Sequence, residues 1–367
     1  MRSAEPSWHD HVVLRRLEMI GRLAETWFHR PPSPTRVVFD VTRKCNLRCS
    51  MCRTWEHPGT GALTAEEIEH ILRQLPRLTW LDMTGGEPFV RPDIERVLRA
   101  GATIPRGLTV LHFQTNGWMS ERVESVTAAV RAAREDVELI VTVSIDGPAD
   151  VHDVVRGREG SAARALETLD RLEALPGVEV HVGTTVSTQT VASLGRTESM
   201  LRDRGFDLRR WHWNWLQTSE HFFGNADVEP RAVPPGDLLR RHMARRGLPR
   251  TMVELMESIY LLNLDAVARG EASGVPCQSL RSAVFISPEG ELYPCHLYDR
   301  PLGSLREQSM EELWNGNAVA EARKDIDALA CGGCFSACEA YPALAGAPVR
   351  TTTVTAGRLL RRLREGT

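Results

Sequence analysis

The chain is 367 residues long, 42% of them hydrophobic, and its 45 basic and 48 acidic side chains leave a net charge of -3 at pH 7. That balance gives no electrostatic footprint for nucleic acid or for an anionic membrane surface. No stretch approaches the roughly 20 apolar residues of a membrane span, and the N-terminus is not a signal peptide, so a cytoplasmic location is expected.

Residues 1–36 precede the main pattern. Val12, Val13, Leu14, Leu17, Ile20 and Leu23 have helical spacing and end before Pro31-Pro32, which predicts an amphipathic helix packed over the domain that follows. From Val37 the pattern alternates strand and helix. Strands are expected over Val37–Thr42, Thr79–Met83, Thr109–Gln114, Glu138–Ile145, Glu179–Val186 and Arg209–Leu216. Helices are expected between them, at Thr64–Gln74, Asp93–Ala100, Glu121–Arg134 and Ala162–Ala174, the first opened by a Thr64/Glu67 capping box. Six apolar strands alternating with amphipathic helices mean a parallel sheet with helices outside. Pro230 to Gly247 reads as a connection and Thr251–Arg269 as a last flanking helix. A smaller unit starts near Gly274, with a hairpin around Pro288-Glu289-Gly290 and a helix near Ser309–Asn317. The chain ends from Ala343 in a basic, helix-like tail.

Chemistry concentrates at the ends of the expected strands. After the first come Cys45, Cys49 and Cys52, spaced CxxxCxxC. Three clustered thiolates are soft ligands for iron or zinc, but a structural zinc normally takes four protein ligands. An iron–sulfur cluster on three cysteines keeps one iron open to a substrate. The second strand runs into Thr84-Gly85-Gly86-Glu87-Pro88, where two glycines let backbone approach a ligand closely and Glu87 offers a carboxylate. Gln114-Thr115-Asn116-Gly117 follows the third strand, Ser144-Ile145-Asp146-Gly147-Pro148 the fourth, and His152-Asp153-x-x-Arg156-Gly157 lies just beyond. The fifth ends in Gly183-Thr184-Thr185-Val186. In the sixth, Trp211-His212-Trp213-Asn214-Trp215, one face carries the tryptophans and the other His212 and Asn214, and either faces the interior.

The cysteine triplet and the GGEP turn, each after a strand and separated by one helix, resemble the radical S-adenosylmethionine (radical SAM) superfamily. The resemblance implies an open, partial (β/α)6 TIM-like barrel over residues 37–273, with its chemistry at the C-terminal ends of the strands. It also implies a [4Fe-4S] cluster on Cys45, Cys49 and Cys52, whose open iron is chelated by S-adenosylmethionine (SAM). Gly85, Gly86, Glu87 and Pro88 would hold its methionine amino group, with Asn116 in the family's TNG turn, Ser144, Asp146 and Arg156 toward ribose and carboxylate, and Thr185 near the adenine. His212, Asn214, Glu220 and His221 are candidates for substrate contact; ordinary turn and strand structure is the alternative for these residues.

The second cysteine group is Cys277, Cys295, Cys331, Cys334 and Cys338. Its C-x12-G-x4-C spacing, the hairpin and the final Cys-Gly-Gly-Cys resemble the auxiliary-cluster domains called SPASM and twitch, expected over residues 274–342. The full pattern carries enough cysteines for two auxiliary clusters. The five here suit a second [4Fe-4S] cluster on Cys277, Cys295 and two of Cys331, Cys334 and Cys338, leaving one thiol surplus. A free Cys338 facing the barrel would be a catalytic hydrogen donor. A four-cysteine zinc is the alternative.

Together these imply reductive cleavage of SAM and hydrogen abstraction from a substrate, most simply oxidation of a small natural-product intermediate such as an aminocyclitol or sugar. An electron donor of flavodoxin or ferredoxin type is then required. The alternatives are maturation of a precursor peptide, epimerisation through Cys338, or a non-catalytic iron–sulfur or zinc scaffold. Residues 1–36 are too short for a fused leader-binding domain, which favours the small molecule.

Overall fold

In this computed structural model the structure describes residues 19, 21, 22, 24–228, 236–268, 271–328 and 334–365. Most of the expected N-terminal helix lies outside them. The six apolar runs form parallel strands: β1 (Arg36–Asp40), β2 (Trp80–Thr84), β3 (Val110–Thr115), β4 (Glu138–Ser144), β5 (Val178–Val186) and β6 (Trp211–Trp215). Helices α1 (Ala65–Arg73), α2 (Ile94–Thr103), α3 (Ser120–Ala133), α4 (Ala149–Arg156), α5 (Ser161–Glu173) and α6 (Leu194–Asp203) return the chain between them. The Thr64/Glu67 capping box is present at α1, whose Ile68, Ile71 and Leu72 are buried.

Side chains alternate across a strand, so the sheet has two unlike faces. Val37, Phe39, Leu81, Met83, Leu111 and Phe113 point to the helices and belong to the main apolar core. Removing each from water contributes about 1.5–3 kcal/mol. The inner face is polar: Asp82, His112, Gln114, Thr142 and Asn214 line a cavity in the barrel. In β6 the tryptophans take the helix side and His212 and Asn214 the inner side. Trp211 and Trp213 are fully buried, and Trp213 stacks on His242 with ring centroids 4.4 Å apart.

His242 belongs to α7 (Gly236–Arg246), a helix inside the segment expected to be a connection. That expectation is corrected here. Few apolar residues mark the segment, but Leu239 and His242 are buried, and Arg246 donates to the carbonyls of Leu208, Arg209 and Trp211 at the open edge of β6. Tertiary contacts outweigh weak local propensity.

The C-terminal hairpin continues the barrel's own sheet. After α8 (Met252–Ala268), β7 (Ala283–Ile286) runs parallel to β1, with Val37 opposite Val284, and antiparallel to β8 (Leu292–Tyr293). The sheet order is β6-β5-β4-β3-β2-β1-β7-β8, so the chain crosses the expected boundary near Gly274 without leaving the sheet. Helices α9 (Met310–Asn315), α10 (Asn317–Asp327), α11 (Ala337–Gly346) and α12 (Pro348–Glu365) follow. The basic tail is α12, and its Arg358 is buried, donating to Asn263 Oδ1 and to the Ala272 carbonyl. Among the described residues no helix is long and apolar enough to cross a membrane.

Candidate active site

The loop after β1 is gripped from three sides. Gly86 and Glu87 donate their backbone N–H groups to the carbonyls of Thr42 (2.7 Å) and Lys44 (2.9 Å). Arg48 and Ser50 donate to the carbonyls of Arg156 (3.2 Å) and Val155 (2.9 Å), at the end of α4. Asn225 Nδ2 donates to the Met51 carbonyl at 2.8 Å. A Cβ on Gly86 would lie 2.5 Å from the Lys44 oxygen, so glycine is needed there for the two turns to touch. Gly157 ends α4 at φ +66, and a Cβ on it would lie 2.3 Å from the Arg48 oxygen.

Cys45, Cys49 and Cys52 open onto the cavity in the barrel, with Gly85, Gly86, Glu87, Asn116, Ser144, Arg156, Thr185 and Asn214. Burial pushes the Cys45 thiol up to about 12 and raises Cys49, so both hold protons that ligation would displace. Asn116 Nδ2 lies 3.9 Å from Cys45 Sγ and Arg156 hydrogen-bonds the Cys49 thiol. Donors are therefore aimed at sulfur atoms that gain negative charge on ligation. This all-sulfur set beside a polar cavity fits an iron–sulfur cluster.

Glu87 has a role beyond the expected one. Its carboxyl accepts from the backbone N–H of Phe89 (3.2 Å) and Asn116 (2.6 Å) and from the Thr115 hydroxyl (3.0 Å). It thereby ties the GGEP turn to the turn after β3, while burial lifts it to about 7. Pro88 is buried in the same turn and does not line the cavity. Asp146 is fully buried and also sits behind the wall. One oxygen accepts from Thr185 N–H (2.8 Å), the other from Arg156 Nε (2.6 Å), so it positions two residues that do face the cavity. His152 accepts from the Asp146 N–H, and burial lowers it to about 4.

The substrate candidates separate. Asn214 lines the cavity. His212 faces inward but lies away from it, stacked on His181 and hydrogen-bonded to Glu257 at 2.7 Å. Glu220 and His221 bind Asp299 through their backbone N–H groups, both at 2.9 Å, and His221 stacks on Tyr293, so the two hold a loop rather than face the cavity.

Of the second cysteine group, Cys331 lies outside the described residues. The electrostatic neighbours of half-buried Cys295 include Cys277 and Cys334. Those of Cys338 are Arg36, Asp82 and Glu339, and Cys338, which is exposed, is among the residues that line the cavity. Burial pushes its thiol up to about 12. Sequence reasoning missed Asp82, His112 and Thr142 on the cavity floor; a polar residue on the inner register of a buried strand is the signal that marks them.

Comparisons with known proteins agree with this geometry. A family model described as the Radical SAM superfamily matches residues 39–203, and one described as an iron–sulfur cluster-binding domain, SPASM, matches residues 277–338. The chain is 27% identical over 327 residues to the AdoMet-dependent heme synthase of Methanosarcina barkeri, covering 82% of this chain and 88% of that protein. It is 26% identical over 294 residues to the antilisterial bacteriocin subtilosin biosynthesis protein AlbA of Bacillus subtilis, covering 78% of this chain and 61% of that one. Its fold matches the crystal structure of Streptococcus suis SuiB bound to S-adenosylmethionine with a TM-score of 0.59 at 13% identity, over 88% of this chain and 75% of that chain. The chain belongs to the radical SAM superfamily, with a [4Fe-4S] cluster and SAM as cofactors and a C-terminal SPASM domain for an auxiliary iron–sulfur cluster.

Proposed function

We propose that this radical SAM enzyme is an oxidoreductase that dehydrogenates a polar small molecule such as an aminocyclitol or sugar, in the cytoplasm, with a flavodoxin- or ferredoxin-type electron donor. One observation carries the reading: a single cavity runs from Cys45, Cys49 and Cys52 past Gly85–Glu87 to a floor of Asp82, His112, Gln114, Thr142 and Asn214. An inner surface so rich in hydrogen-bonding side chains suits a substrate with several hydroxyl or amino groups.

When bound to the cluster, SAM supplies a 5'-deoxyadenosyl radical that takes a hydrogen atom from substrate. The chain's part is placement. Cys45, Cys49 and Cys52 would ligate the cluster. Glu87 holds two ligand-facing turns together and keeps lone pairs for an ammonium group, and Asp146 fixes Arg156 and the Thr185 backbone. Trp55, Phe222 and Phe223 give the cavity an apolar side that excludes water. Cys277, Cys295 and Cys334 would hold the auxiliary cluster.

Cys338 supports a second reading, because its thiol opens onto the same cavity: return of a hydrogen atom to the substrate radical, with epimerisation as the net reaction. Peptide maturation draws support from the likeness to AlbA. One experiment separates the three. The anaerobically reconstituted protein, reduced with dithionite in heavy water, is given SAM with an aminocyclitol and sugar pool or with a pool of precursor peptides, and 5'-deoxyadenosine and product mass are measured. We expect stimulation by the first pool and a product lighter by two hydrogens. A deuterium-bearing product of unchanged oxidation level would establish epimerisation, and stimulation by peptides alone would overturn the small-molecule reading.

A further inference from the structure

The cavity floor holds a chain of side chains that ligation and SAM binding leave unused. Arg36 Nη2 lies 2.6 Å from Asp82 Oδ2, with both side chains about nine-tenths buried. Asp82 Oδ1 accepts from Trp80 Nε1 (3.0 Å) and meets His112 Nδ1 at 2.8 Å. His112 Nε2 lies 2.9 Å from Thr142 Oγ1. Asp82, His112 and Thr142 stand on three adjacent strands, on the inner side of the sheet, and all line the cavity.

The hydrogen positions follow from the partners. Burial would raise the Asp82 carboxyl, but Arg36 and His112 more than offset it and hold it down to about 2, so Asp82 is a carboxylate that can only accept. The hydrogen it shares with His112 therefore sits on Nδ1. In the neutral ring Nε2 is then an acceptor, and the Thr142 hydroxyl donates to it. The Thr142 oxygen keeps lone pairs for a group in the cavity. This is the order carboxylate, imidazole, hydroxyl in which the first member orients the second and stabilises its charged form.

Given the oxidation proposed above, on which this inference rests, we propose that His112 is the proton acceptor of the reaction, reached through the Thr142 hydroxyl, with Asp82 as its positioning residue. It follows that the substrate carries a hydroxyl or amino group on the carbon that is oxidised. For an alcohol, the C–H hydrogen atom passes to the 5'-deoxyadenosyl radical, forming 5'-deoxyadenosine. The O–H proton passes to the Thr142 oxygen as that hydroxyl's own proton moves to His112 Nε2. With the auxiliary iron–sulfur cluster bound, it would accept the remaining electron as the C=O double bond forms. The groups around His112 suit this. Asp82 from β2 and Arg36 from β1 form a fixed ion pair, and Thr142 from β4 is neutral. Burial and the neighbouring His212 lower His181 of β5 to about 4, so it adds no positive charge.

Two measurements test this on the full-length protein. In the ¹⁵N-histidine NMR spectrum at pH 8, with the His112 signals assigned by their loss in His112→Gln, the ring should carry hydrogen on Nδ1. Asp82→Asn should shift it toward the other tautomer. In the reconstituted enzyme with the aminocyclitol and sugar pool, His112→Gln should lower oxidised product per 5'-deoxyadenosine by about 10²–10⁴-fold. Thr142→Val should act in the same direction and Thr142→Ser restore most of the product. Hydrogen on Nε2, or an unchanged product ratio in His112→Gln, would overturn the assignment while leaving the oxidation reading intact. A wild-type enzyme that makes no oxidised product would overturn both.

Discussion

Asp40 shows how far one buried group departs from its behaviour in water. It ends β1, fully buried, with one oxygen accepting from the Thr42 N–H at 3.1 Å and the other without a hydrogen-bond partner among the described residues. Burial raises its carboxyl from 3.8 to about 8, against the pull of Arg43 and the Thr42 N–H. A raised folded value means that the native state binds the proton more tightly than the unfolded chain. Its contribution to stability is complete below about pH 3.8 and is lost as pH rises through 8. Asp40→Asn removes this dependence. Thermal melts from pH 5 to 9 should therefore show the variant gaining on the wild type as pH rises, by on the order of a few kcal/mol over the whole window. Parallel melting curves would show that Asp40 does not titrate this way. Glu87 is displaced in the same direction for the same reason.

At the scale of elements, α4 is the buttress of the cysteine loop. Its last residues offer the carbonyls of Val155 and Arg156 to Ser50 and Arg48, and Gly157 turns away with φ +66 against the Arg48 oxygen. Gly157→Ala combines a left-handed backbone with a clash against backbone, so a loss of about 1–3 kcal/mol is expected. The displaced loop should also retain less iron after reconstitution, read as iron per chain beside the melting temperature. Unchanged iron content would mean that α4 is incidental to the loop. The six strands were legible because β-branched and apolar runs of five to nine residues have few other uses in a chain of this length. The direction in which β6 faces was not. In WHWNW both faces alternate perfectly, and tertiary packing sets which side is inward, with Trp213 stacked on His242 from a helix hidden in a charge-rich segment. For the same reason the cavity residues carrying motifs could be named in advance, whereas Asp82 and His112 became visible only when the register set them side by side.

The whole molecule is one sheet carrying two cysteine groups. Because β7 pairs with β1, the segment bearing Cys277 and Cys295 is fixed to the strand that leads into Cys45, and α11 brings Cys338 to the same cavity. The central claim is that this framework runs SAM chemistry, and the most direct test is the formation of 5'-deoxyadenosine from SAM by the reconstituted, dithionite-reduced protein, set against Cys49→Ala. The account predicts 5'-deoxyadenosine and methionine in equal amounts from the wild type, with a loss of at least about 10³-fold in the variant, which lacks one of the three thiols proposed to hold the cluster. Absence of cleavage by a wild type that carries its full iron complement, or equal cleavage by Cys49→Ala, would contradict it.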